Sequence, residues 1–80
     1  MENEVRQALV AEGFADEEIQ LEETASGKVS GFVVSTQFEG KTQLDRQDFL
    51  WAHLRNRLKD EQLIQIIAIL TMTPEETRVD

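Results

Sequence analysis

One histidine, His53, and sixteen carboxylates are all that this chain offers for proton transfer or metal ligation, and cysteine is absent. Without Cys there is no thiol nucleophile, no thiolate metal site and no disulfide framework. Such a composition fits a reducing compartment. Several carboxylates come as neighbours: Glu17-Glu18, Glu22-Glu23 and Glu75-Glu76. Adjacent residues on a strand point to opposite faces, so these pairs do not make a facing acid–base dyad. Ser26, Ser30 and Ser35 have no base at a motif spacing. No catalytic residue and no metal site is expected, and the chain reads as a binding module. His53 reads as an ordinary half-buried helix histidine.

The cations are the next candidates. Lys41, Arg46, Arg55, Arg57 and Lys59 fall within residues 41–59 against only Asp45 and Asp48, although the whole chain carries −8. A net charge of that sign argues against a broad phosphate-binding surface, yet a basic helix on an acidic body could meet DNA or an acidic partner. The plainer reading is a solvated helix face. Glu39-Gly40-Lys41-Thr42 lacks the paired glycines of a phosphate-clamping GxxG loop. Phe38 and Trp51 could stack on bases, but both also suit a core.

These residues need elements to position them. Eighty residues make one domain, 1–80, and a chain this short buries only about 60% of the surface it exposes when unfolded. Val5, Ala8 and Leu9 repeat at helical spacing, so Glu2–Glu12 reads as a helix stopped by Gly13. Ile19 and Leu21 alternate with Gln20 and Glu22 in a strand over 18–24. Val29–Thr36 is a second strand, joined to the first through Ala25-Ser26-Gly27-Lys28 as a hairpin. A loop hinged at Gly40 follows. Asp45 is the expected N-cap of the main helix, with Leu44 stapled to Phe49, and Leu50, Leu54 and Leu58 form its core stripe. Lys59–Gln62 breaks the pattern, Leu63–Met72 reads as a third strand, and Thr73-Pro74-Glu75-Glu76 opens a final helical stub. The order is α-β-β-α-β-α. A right-handed crossover makes the last two strands parallel, giving an α+β, two-layer sandwich with helices on one face of a three-stranded mixed sheet.

The third strand is apolar on both faces. Strict alternation puts Ile64, Ile66, Ala68, Leu70 and Met72 on one side and Gln65, Ile67, Ile69 and Thr71 on the other. One side must meet the helices. Ile64, Ile66, Leu70 and Met72 are therefore candidates for a homodimer or partner face.

Residues 32–76 resemble the BolA-like proteins. Val34-Ser35, Phe38-x-Gly40, Leu44, Arg46, Leu54, Leu58, Ile64, Ala68, Thr71 and Thr73-Pro74-Glu75 fall in register with that family's pattern. The resemblance implies a class II KH-like fold. It also implies a small adaptor that pairs with monothiol glutaredoxins in iron–sulfur cluster trafficking, or a DNA-binding transcription regulator linked to stress; a cytoplasmic location is expected from the sequence itself, since no apolar run approaches a membrane span and MENEVRQ lacks the apolar centre of a secretory signal. It places the partner surface at Phe38, Gly40, Lys41, Arg46, Gln47 and Gln65. Two family histidines, the usual cluster-ligand candidates, are replaced by Gln47 and Gln65. A Gln amide does not substitute for imidazole at a cluster iron, so a [2Fe–2S] cluster shared with a partner would lack both ligands, and no intrinsic cofactor is expected. The two glutamines could meet in space and bond a partner's backbone.

Overall fold

The structure, a computed structural model, describes residues 1–78. Helix α1 spans Glu2–Ala11 and buries Val5, Ala8 and Leu9, the residues with helical spacing. Its end is a complete Schellman motif. Gly13 N–H donates to Val10 O at 3.1 Å and Phe14 N–H to Leu9 O at 3.1 Å, with Gly13 at φ 106°. That geometry folds the Phe14 ring back under the helix, where it is 2% exposed.

Strand β1 (Ile19–Glu23) pairs antiparallel with β2 (Val29–Val34), and β3 (Ile66–Met72) pairs parallel with β2, so β2 is central. Helix α2 (Gln43–Arg57) buries Leu50 and Leu54, and Leu58 closes the stripe from its C-cap. Each such leucine contributes about 2 kcal/mol of apolar burial. A one-turn helix α3 (Asp60–Leu63) occupies the stretch expected as a break, so β3 starts at Ile66 and not at Leu63. Helices α1 and α2 cover one face of the sheet, meeting it through Ile19, Leu21, Val29, Val33, Ile66 and Ile69. The two-layer α+β arrangement and the mixed sheet are those expected from the sequence.

Two local expectations fail. The N-cap of α2 is Thr42, whose hydroxyl accepts from Asp45 N–H at 3.2 Å. Asp45 thus lies inside the first turn, favourably placed at the positive end of the helix. Leu44, one residue into the helix, is 70% exposed and does not staple to Phe49. The second failure is in β3. A register shift opposite Val29/Ser30 inserts Ile67 as an extra residue. The bulge changes the phase of the strand, so Ile66, Ile69 and Thr71 all point inward while Ala68 and Leu70 point outward. Ile66 is therefore core and not part of an outer face, and Ile64 precedes the strand as the C-cap of α3.

Candidate functional site

The loop after β2 is the end of the molecule where Phe38, Gly40, Lys41, Arg46 and Gln47 gather. Phe38 is fully buried against Phe14, with ring centroids 5.7 Å apart, so it anchors the loop and offers no stacking surface. Arg46 is 6% exposed. Its Nε donates to the carbonyls of Phe38 (3.1 Å) and Lys41 (2.9 Å), and its Nη1 pairs with Glu76 at 2.7 Å. The guanidinium is a post between the loop and the chain after β3. Its hydrogen bond holds the Glu76 carboxyl below the usual carboxylate range. Glu76 also accepts from Thr73 N–H at 2.8 Å, and Thr73 Oγ1 accepts from Glu76 N–H at 3.3 Å, a reciprocal cap that ends β3 in a single 3₁₀ turn.

The cations therefore do not form one surface. Arg46 is spent inside, Lys41 sits 5.1 Å over the Phe49 ring, and Arg57 pairs with Glu12 at 2.8 Å. Among the described residues, Arg55 and Lys59 are the members of the set with neither an ion pair nor an aromatic ring beneath them. An open depression beside Gly40 is lined by Glu39, Glu75 and Glu76 as well as Arg46, which repels a phosphate.

Gln47 and Gln65 do not meet. Gln47 Nε2 donates to Ile69 O at 2.9 Å, and Gln43 Nε2, one turn earlier, to Thr71 O at 3.4 Å. Thr71 Oγ1 returns a bond to Gln43 Oε1 at 3.1 Å. The carbonyls of Gln65 and Met72 turn toward β2. Alternation along the strand then sends the Ile69 and Thr71 carbonyls away from β2, where the two amides occupy them. Gln65 lies four residues before Ile69, at the other end of β3.

A second polar knot joins the helices. His53 Nδ1 lies 2.6 Å from Glu12 Oε1, Asn56 Nδ2 donates to the same oxygen at 3.2 Å, and Arg57 Nε donates to Oε2. His53 also packs edge-on against Phe49 at 4.5 Å, so it is a satisfied, half-buried side chain as expected. These bonds, His53 first, lower the Glu12 pKa to about 2. A depressed carboxylate contributes stability that is fully present above its unfolded value of 4.5 and is lost as pH falls toward about 2. Acid titration of folding stability should show this loss between those values. Glu12→Gln, measured alongside, should be less stable at neutral pH and flatter across that window.

The Gln65 end has a different character. Gln65 O accepts from Val29 N–H at 2.9 Å, which sets it beside the hairpin turn, where Thr24 N–H bonds Lys28 O at 2.8 Å. Ile64 and Ile67 flank it and are 71% and 63% exposed. Alternation gave no sign of Ile67, because only the bulge turns it out of the core. Among the described residues no group of three or more His, Cys, Asp or Glu could hold a metal ion.

No protein-family model matches the chain, and none of the curated proteins matches it. Among solved structures it is similar to the crystal structure of a Bol-like protein from Babesia bovis. The two are 25% identical with a TM-score of 0.63, and the match covers 95% of this chain and 87% of that one. The chain has the fold of a BolA-like protein. The likeness extends over α1, β1 and β2 as well as the later residues on which the sequence resemblance rests. The BolA-like fold thus accounts for the two-layer arrangement, with the class II KH-like order of elements. Within it Gln47 and Gln65, which the sequence resemblance sets at the family's histidine positions, stand at separate places, Gln47 over the middle of β3 and Gln65 just before its start.

Proposed function

We propose that this BolA-like chain is a non-enzymatic adaptor that docks a monothiol glutaredoxin-like protein at the Gln65 end of the sheet. The observation behind the proposal is the exposed pair Ile64 and Ile67 on either side of Gln65. Two branched aliphatics held in water at a family partner position are the kind of surface that a partner covers. Phe38, Arg46 and Gln47 then act from inside, by holding the loop and β3 in place. Gly40 and Lys41 form a second, more distant contact. Because Gln stands at both histidine positions, the chain supplies neither imidazole to a [2Fe–2S] cluster, and any cluster held by the partner keeps its own ligands.

Titration of isotope-labelled chain with a monothiol glutaredoxin tests this. Amide shifts should centre on Lys28, Ile64, Gln65 and Ile67. Ile64→Asp with Ile67→Asp should weaken binding about tenfold or more and leave the fold intact, since both side chains are exposed. The visible spectrum of a cluster-loaded partner should not change on mixing. Binding indifferent to the double variant would overturn the placement, and no shifts with either form of the partner would overturn the adaptor role.

A DNA-binding regulator of stress response, the alternative that the resemblance allows, would have to work from Arg55 and Lys59 with Arg57 drawn off Glu12. No helix among the described residues is long and apolar enough to cross a membrane.

A further inference from the structure

Among the described residues, none forms a layer on the sheet face opposite the helices. Its outward residues form two rows across the strands, set by the register. Glu22, Ser30 and Ala68 make one row, and Gln20, Phe32 and Leu70 make the other. The small side chains of the first row lie beside the taller Phe32 and Leu70, leaving a trough of about 510 Å³. Leu70 is 61% and Phe32 37% exposed. The trough is asymmetric. Its β3 side has no charged residue from Ile66 to Met72, while its β1 side carries Glu22. Lys28, at the hairpin turn, is the nearest cation in sequence.

We infer that this trough is a docking surface for an amphipathic helix of another protein, with an apolar stripe and Lys or Arg along one flank. The dimensions suit it. The outer strands are about 10 Å apart and seven residues of β3 run about 23 Å, which accommodates a helix about 10 Å wide and about 12 to 15 residues long. The stripe would lie on Ala68, Leu70 and Phe32, and the cations would reach Glu22. Charge separates this occupant from a second copy. Two chains of −8 each would be brought together with Glu22 at the contact. This surface is distinct from the Ile64–Ile67 end, so a helical client and the proposed partner could be held together.

The test uses a fluorescent 14-residue amphipathic peptide with a leucine stripe and one lysine flank, against a twin with glutamates on that flank. The lysine peptide should bind the intact chain, with amide shifts at Glu22, Ser30, Phe32 and Leu70, and the glutamate twin should bind at least tenfold more weakly. Leu70→Asp and, separately, Ala68→Arg should each reduce binding about tenfold, with thermal unfolding near that of the parent. Glu22→Lys should reverse the preference between the peptides. Equal binding of both peptides, binding indifferent to Leu70→Asp and Ala68→Arg, or a parent dimer that Leu70→Asp makes monomeric would each overturn the assignment.

Discussion

Gly31→Ala is expected to remove about 3 kcal/mol or more of folding stability, because of the four glycines it alone has backbone where a Cβ would go. Gly31 lies on the central strand opposite Leu21. A Cβ built there would fall 1.9 Å from the carbonyl oxygen of Gln20 and 2.9 Å from Leu21 Cα. Both neighbours are backbone, so no side chain can swing aside. The clash is relieved only by moving β1 away from β2, against hydrogen bonds that hold neighbouring strands about 4.8 Å apart. A domain of this size has only about 4 to 12 kcal/mol to lose, so the variant should unfold at a much lower urea concentration or fail to fold. Ser30→Ala, one residue away and facing the open trough, should stay within about 1 kcal/mol. A Gly31→Ala midpoint equal to the parent's would mean that the two strands can separate without penalty.

Arg46→Ala should cost about 2 to 4 kcal/mol, because it leaves the Phe38 and Lys41 carbonyls and the Glu76 carboxylate without their shared donor. Arg46→Lys should recover little of this, since one ammonium cannot span three acceptors that a planar fork reaches at once. Hydrogen exchange would separate this post from a mere surface cation. Amides of residues 38–42 should lose protection in both variants, while those of Leu50 and Leu54 should exchange faster only to the extent that global stability falls. Unchanged protection in the loop would show that Arg46 does not hold it.

The parts of this fold written locally could be read from the chain. Gly13 after a helical repeat announced its cap, Leu50, Leu54 and Leu58 announced the face of α2, alternation announced β1, and β-branched residues announced β2. What depended on pairing across the fold could not. Thr42 and Asp45 are both good caps, and the loop geometry fixed by Arg46 decided between them. The bulge at Ile67 is a property of the β2–β3 ladder, so strict alternation put Ile66 outside when it is core. The same limit applied to the site. Arg46 was visible as a matched residue, but its burial was not, and charge alone made it a nucleic-acid candidate. The distance between Gln47 and Gln65 follows from the register of α2 on β3, which neither residue encodes.

The two amides on the carbonyls of Ile69 and Thr71 bear on how this protein survives at high concentration. Ile66–Met72 has no charge and no proline, the composition from which fibrils are nucleated. Fibril growth needs an uninterrupted row of backbone acceptors on which the next molecule can stack. Gln43 and Gln47 interrupt that row from the same chain, so a seven-residue segment that would be hazardous as a free peptide is kept from templating its neighbours.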